Sequence, residues 1–343
     1  MKKQSLEQKA INALRECLEG IPFLQVDRIE SIGADIRANV HIQGQTRMLW
    51  AQIKTNGQPR LARLAAYELK DRLGGKPDVY GIFIAPYISS DAGRICEDAG
   101  IGYLDLAGNC LLSFGTIYIR QTGLPNPKAQ KRELRSLYSP KAERILRAML
   151  TEPRRAWKTV EMAQAVGVSL GQVANVKKLL ANREWLGAND AGMVLSQPGA
   201  LLDDWVNAYN IRRSQAYEYY SLTEPGETEA RLAEACERLG FRYALTSFSG
   251  AIRIAPMVRY NRAAAYIVGD LAAVAAEAGI KPVDSGPNTL LLTPYDEGVF
   301  YAASSIDGIM TASPVQVYLD VISSRTRGQE AAEAIRRKLE AAW

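Results

Sequence analysis

The sequence predicts a multidomain chain of mixed α/β class, with a helical segment set between two α/β segments. Three observations carry this expectation. At 343 residues the chain exceeds what one hydrophobic core usually organises, so two or three domains are expected. Hydrophobic residues make up 47% and charged residues 23%, the balance of a globular chain. The apolar periodicity also changes along the chain. Helical spacing and strand alternation interleave at both ends, while the middle is almost purely helical.

The first segment, residues 1–123, opens with Ser5 and Gln8, the spacing of a capping box. Ile11, Leu14 and Leu18 follow at helical spacing, and Gly20 ends the run. Ile36, Ala38, Val40 and Ile42 then alternate as one face of a strand. The next strand, about Met48 to Lys54, puts Met48, Trp50, Gln52 and Lys54 on one face. Pro59 to Leu73 is expected as a helix and Val79 to Ala85 as a buried strand. Ser89 to Ala99 is expected as a short helix, Ile101 to Leu106 as a strand, and Thr116 to Arg120 as the closing strand. Residues 124–137, rich in proline and unpaired charge, mark a linker.

The middle segment, 138–202, carries the most specific pattern. Ile145, Leu146 and Met149 define one helix, and Val160 to Val166 a second. A helix-turn-helix needs a small residue where its helices cross, here Ala163. It needs a glycine at the turn, Gly167, and an apolar residue after it, Val168. Ser169 then caps a third helix, with Gln172 at the capping-box position. Val173, Val176 and Leu180 form that helix's inner stripe, leaving Gln172, Asn175, Lys178 and Gly171 outward. The polar turn at Asn189 to Gly192 followed by Met193–Leu195 predicts a hairpin, completing a winged helix-turn-helix.

The side chains of this segment suit DNA. Gln172 and Asn175 can pair with adenine edges, and Lys177 and Lys178 can reach guanine or phosphate. Arg154, Arg155 and Lys158 precede the second helix, where phosphate contacts position such domains, and Ser169 and Arg183 flank the third. Net charge is only +5, yet residues 126–185 hold 13 basic and 5 acidic side chains, a local +8 that leaves −3 elsewhere. A localised polyanion contact follows, with double-stranded DNA as the expected partner; a merely solvated basic surface is the competing account.

Composition narrows the alternatives. A single histidine, His41, argues against histidine-based zinc sites and a Ser-His-Asp hydrolase. The four cysteines have neither metal nor disulfide spacing, no apolar run is long enough to cross a bilayer, and the start lacks the apolar core of a signal peptide. The expectation is a cytoplasmic protein that engages no membrane, and a homodimer would suit a palindromic DNA site.

Asp35, followed by Gln52-Ile53-Lys54, resembles the PD-(D/E)xK nuclease signature. In that family an aspartate on one strand and an acidic-x-lysine pair on the next hold Mg²⁺ and position water. The resemblance implies a restriction-endonuclease-like domain, with Asp35, Gln52 and Lys54 as catalytic residues and Asp35 and Gln52 as metal ligands if it is active. Gln52 stands where a carboxylate is usual and is the poorer Mg²⁺ ligand, so a degenerate domain kept as scaffold is the competing reading. Asp105 and Asn109, in Gly102-Tyr-Leu-Asp-Leu-Ala-Gly-Asn, either serve that site or cap a turn.

The last segment, 203–343, is expected as mixed α/β. Its helices are Thr228–Leu239 and Gln329–Ala342, and its strands are Phe241–Thr246, Ala265–Val268 and Thr289–Leu292. Asp284, Asp296, Glu297, Asp307 and Asp320 are scattered and form no catalytic set. Arg325 and Arg327 beside Ser323 suggest either an anion site or a solvated basic loop. Tyr243-Ala-Leu-Thr-Ser-Phe-Ser-Gly-Ala, Pro314-Val-Gln-Val-Tyr-Leu-Asp and Arg327-Gly-Gln-Glu-Ala-Ala-Glu, with the helical segment upstream, resemble AbiE-type antitoxins of type IV toxin–antitoxin systems. That resemblance implies a promoter-binding winged helix and a C-terminal domain that counteracts a nucleotidyltransferase-like toxin indirectly. The extra α/β segment in front departs from the family. The expectation is a DNA-binding regulator, not an enzyme and without cofactor; the alternative is a Mg²⁺-dependent DNA nuclease targeted by its winged helix.

Overall fold

In the computed structural model, residues 5–343 are described except 34, 77, 126–136, 188–190, 256–259 and 324–327. The expected linker, the tip of the expected hairpin and the Arg325–Arg327 loop therefore fall wholly or largely outside the described residues. The chain divides into two compact units. One holds residues 1–133 with Leu180–Glu184; the other holds 134–179 and 185–343. The architecture is mixed α/β in both.

The first unit is built on a seven-stranded sheet whose strands lie in sequence order. They are β1 (Leu24–Ile32), β2 (Asp35–Ile42), β3 (Gln45–Ile53), β4 (Val79–Ala85), β5 (Gly102–Asp105), β6 (Cys110–Phe114) and β7 (Ile117–Gln121). β3, β4 and β5 run parallel, and the flanking pairs run antiparallel. Helix α1 (Leu6–Glu19) covers one face, burying Ala10, Leu14 and Leu18 against Ile36, Val40, Leu49 and Ile84. Helices α2 (Pro59–Leu73) and α3 (Ser90–Asp98) cover the other, where Ala62, Ala65 and Leu69 meet Phe83, Ala85 and Cys96.

The alternation read in β2 decides this layering. Ile36, Ala38, Val40 and Ile42 are buried toward α1, which turns Asp35, Arg37, Asn39 and His41 to the α2 side. In the β2–β3 register Asp35 stands opposite Gln52, and Arg37 opposite Trp50. Leaving each parallel strand at its carboxyl end, the loops after β3 and β4 touch. The amide of Ser89 donates to the carbonyl of Gly57 at 3.0 Å. A Cβ at Gly57 would lie 2.2 Å from the Tyr87 carbonyl oxygen, so only glycine permits this approach.

The second unit begins with helices α4 (Pro140–Thr151) and α5 (Thr159–Val166) and with α6 (Leu170–Asn182), whose residues from Leu180 on are grouped with the first unit. A short antiparallel pair follows, β8 (Leu186–Gly187) and β9 (Val194–Leu195). Trp157 joins this pair by exchanging both backbone hydrogen bonds with Met193, at 2.9 and 2.8 Å. Helix α7 (Pro198–Ala208) leads into β10 (Gln215–Tyr220).

The rest of that unit surrounds a seven-stranded mixed sheet. Its order is β13 (Lys281–Pro282), β10, β14 (Thr289–Thr293), β12 (Ala263–Val268), β11 (Arg242–Leu245), β16 (Ile309–Thr311) and β15 (Ser304–Ile306). Helices α8 (Pro225–Leu239) and α10 (Leu271–Ala278) pack on one face. There Leu232, Cys236 and Val274 meet Leu245, Ala265, Ile267 and Leu291. Helices α9 (Ser247–Ile254), α11 (Pro314–Ile322) and α12 (Gly328–Ala342) complete it.

Helix α11 is the stretch Pro-Val-Gln-Val-Tyr-Leu-Asp-Val-Ile, and Val315 through Val321 are all buried. A helix places residues four apart on one face, so Gln316 and Asp320 lie together, the amide donating to the carboxylate at 3.0 Å. They centre a buried polar network. Asp320 also accepts from Tyr209, Tyr266 and Thr246. Gln316 accepts from Arg147 Nε of α4 at 2.8 Å. Arg147, fully buried, donates to the Tyr295 hydroxyl at 2.9 Å and lies 5.0 Å from the centre of the Trp205 ring. Glu143, also fully buried, accepts from Arg213 at 2.5 Å and from Tyr295. Burial pushes the Asp320 carboxyl above its ordinary range, the four donors only partly offsetting it.

Candidate nucleic-acid interface

Helix α6 has the two faces a groove reader needs. Val173, Val176, Leu179 and Leu180 are buried, while Gly171, Ala174, Asn175, Lys177 and Lys178 are exposed and Gln172 is half-buried. The amide of Gln172 donates to Ser169 Oγ at 3.2 Å, so the serine caps the helix as its spacing predicts. Gly167 ends α5 with φ +64°, the left-handed conformation that glycine adopts without strain. Ala163 is buried, 7% exposed, and its carbonyl accepts from the Val168 amide at 3.0 Å.

The basic residues divide into those already engaged and those that are not. Arg154 donates through Nε to the carbonyl of Trp343. Arg155 pairs with Glu152 at 3.1 Å and lies 3.7 Å from the centre of the Trp157 ring. Lys158 lies 4.0 Å from Glu161, and the Arg183 side chain is half-buried. Lys177 and Lys178 are exposed and make no ion pair among the described residues. One residue missed in the sequence joins them. Lys141, exposed at the start of α4, lines a groove of about 460 Å³ with Gln164, Gly167, Ser169 and Gln172. Its distance along the chain from α6 hid it.

The turn between α5 and α6 is held from behind. Arg144 Nη1 donates to the Val166 carbonyl at 3.3 Å, satisfying the last turn of α5. The same guanidinium grips Asp296 with two bonds, at 2.6 and 3.0 Å. Burial would raise the Asp296 carboxyl, but the Arg144 bonds and the Gly298 amide outweigh it and hold it below the usual carboxylate range.

In the first unit, Asp35, Gln52 and Lys54 converge beside α2, and the structure adds Glu68 to them. Glu68 accepts from Gln52 Nε2 at 2.5 Å and from Lys54 Nζ at 2.7 Å. Lys54, foremost by its hydrogen bond, holds the Glu68 carboxyl below its ordinary range. Asp35 accepts from Arg72 and from Trp50 Nε1, the latter at 3.2 Å. Gln52 Oε1 is buried without a hydrogen-bond partner among the described residues. That orphaned oxygen and the Asp35 carboxylate are the donors a Mg²⁺ ion would use. The set does not fit the ion as it stands. Arg72 and Lys54 cancel the charges of Asp35 and Glu68, and no cluster of three His, Cys, Asp or Glu side chains suited to a metal occurs among the described residues.

Asp105 and Asn109 form a clamp. Asp105, 1% exposed, accepts from the amides of Ile88, Ala107 and Asn109 and from Asn109 Nδ2. Asn109 in turn exchanges hydrogen bonds with the backbone of Leu124, at 2.8 and 3.0 Å. No helix among the described residues is long and apolar enough to cross a membrane.

Comparison with known proteins bears on the second unit. Residues 194–341 match the family described as "Transcriptional regulator, AbiEi antitoxin, Type IV TA system". The matched stretch takes in α7 through nearly all of α12, with Gln316 and Asp320, but not Glu143 and Arg147 of α4. No curated protein matches the chain. Among solved structures, the chain is similar to EndoMS in apo form, at 17% identity and a TM-score of 0.22 over 30% of this chain and 47% of that one. It is also similar to an EndoMS–dsDNA2 complex, at 19% identity and a TM-score of 0.19 over 30% of this chain and 46% of that one. The chain thus spans less than half the length of either structure.

Proposed function

We propose that this protein is a DNA-binding transcriptional regulator of the type IV antitoxin kind, reading duplex DNA through a winged helix-turn-helix over residues 138–202. The observation that carries the reading is α6 itself. It is capped by Ser169 and buried on its Val173–Val176 face, and it presents Gln172, Asn175, Lys177 and Lys178 outward. Gln172 and Asn175 then read base edges, Lys177, Lys178 and Lys141 meet phosphates, and the β8–β9 pair is the wing. Residues 203–343 are an interaction module acting against a toxin indirectly, and residues 1–123 a nuclease-like domain kept as scaffold. The working form is a cytoplasmic homodimer on a palindromic promoter site.

The test is binding of the purified chain to duplex DNA from its own promoter and to a scrambled duplex, across a salt series. Promoter-selective binding that is lost in Gln172→Ala/Asn175→Ala is the expected result. Unchanged selectivity in that double variant would remove α6 from the readout.

A second reading, a Mg²⁺-dependent DNA nuclease, is favoured by one observation, the orphaned Gln52 Oε1 opposite Asp35 in the β2–β3 register. It requires Arg72 and Lys54 to release their carboxylates. Cleavage that appears with Mg²⁺ and disappears in Lys54→Ala would establish it; intact DNA under those conditions would leave the regulator alone.

A further inference from the structure

A concavity in the first unit lies at the carboxyl ends of β4 and β5, the edge where open α/β sheets bind ligands. Its volume is about 310 Å³, at the lower end of the roughly 300–1,000 Å³ typical of small-molecule sites. The Asp105–Asn109 clamp ties together two segments at this concavity, Tyr87–Ile88 and the chain leading to Leu124, and Asn109 itself lines it. The close approach at Gly57 fixes the Tyr87 side of the rim.

The lining is selective in chemistry. Tyr87 and Tyr103 supply aromatic surface, Arg94 and Arg120 supply guanidinium groups, and Ser89 and Ser90 bring the first turn of α3. Arg120 is held by two contacts to Glu97, both 3.2 Å. Arg94 pairs with Asp91 on the open surface, a bond easily exchanged for another anion. Tyr103 is 7% exposed, lines the pocket, and its hydroxyl has no hydrogen-bond partner among the described residues. The hydroxyl is therefore available to a polar atom of a ligand in the pocket. A Cβ at Gly93 would lie 3.2 Å from that hydroxyl, so the glycine leaves room for it.

We propose that this pocket binds a free nucleoside 5′-monophosphate, making the first unit the effector-sensing part of the protein. The phosphate meets Arg94, Arg120 and the amino end of α3. The base lies against Tyr87, and a sugar or base polar atom satisfies Tyr103. The volume suits a mononucleotide.

The experiment is isothermal titration of the full chain with AMP, CMP, adenosine and inorganic phosphate at low salt. At least one monophosphate should bind, with adenosine and phosphate each at least tenfold weaker. Arg94→Gln and Tyr103→Phe, both checked for an unchanged circular dichroism spectrum, should each weaken binding about tenfold. No binding of either monophosphate at millimolar concentration overturns the proposal, as does binding that both substitutions leave unchanged. Phosphate alone binding as tightly as AMP would make this an inorganic-anion site. A 5′-phosphorylated oligonucleotide displacing AMP at equal strength would assign the pocket to a strand end. Either result overturns the free-nucleotide assignment without touching promoter binding by α6, which is measured separately.

Discussion

The Lys54 ammonium lies 2.7 Å from the Glu68 carboxylate, and that carboxylate also takes the amide of Gln52. The lysine and glutamine at the end of β3 are thereby bound to a helix-borne acid. Lys54 is 19% and Glu68 37% exposed in their side chains, so the ion pair alone contributes little. The hydrogen bonds weigh more. Glu68→Ala leaves two largely buried donors without an acceptor and should lower stability by about 1–3 kcal/mol, read as the urea midpoint at constant slope.

Lys177 and Lys178 should act on affinity without acting on selectivity. Each phosphate contact contributes about 0.9 to the slope of log K against log salt. Lys177→Gln/Lys178→Gln should therefore flatten that slope by about 2 and weaken promoter and scrambled DNA alike. Fluorescence anisotropy across the salt series reads both quantities. An unchanged slope would mean that this pair does not meet the backbone.

Arg144 and Asp296 tie the α5–α6 turn to the sheet that follows, with Asp296 8% exposed. Arg144→Ala strands a buried carboxylate and should cost about 3–5 kcal/mol. The pH dependence has a definite sign. The folded carboxyl titrates below its unfolded counterpart, so its contribution is present above the ordinary aspartate range and is lost as pH falls through the folded value. Thermal midpoints of Asp296→Asn should fall less steeply than wild type as pH drops below the ordinary aspartate range.

Asp320 should behave in the opposite way. Its folded carboxyl is raised by burial, so the folded state holds the proton more tightly. Stability from this group is therefore full below the ordinary aspartate range and declines as pH rises through the interval up to the folded value. Asp320→Asn should remove that decline while still bonding the surrounding hydroxyls. Asp320→Leu should cost about 3 kcal/mol or more by leaving Tyr209, Tyr266 and Gln316 without their shared acceptor. Comparing the three proteins at two pH values separates the charge from the hydrogen bonds.

Much of the local architecture was legible in the residues. The Ser169–Gln172 cap, the left-handed Gly167, the Val173–Val176 stripe and the Ile36–Ile42 alternation all rest on spacings of two to four residues. Backbone geometry ties such spacings to one face or one turn, so these elements, and the side chains α6 turns outward, follow from local order along the chain. Strand β1 was not foreseen, because only Leu24 of its nine residues is buried and a mostly exposed strand leaves little apolar pattern. Nor was Glu68, whose tie to Gln52 and Lys54 spans 16 and 14 residues and depends on α2 folding back over β3. Gln316 and Asp320 sit in a stretch whose apolar residues alternate. Only packing on all sides made it a buried helix and brought Arg147 to it from 169 residues away. Such pairings arise only when the elements pack, because a buried charge or amide must find partners wherever the fold brings them, and no periodicity records where that is.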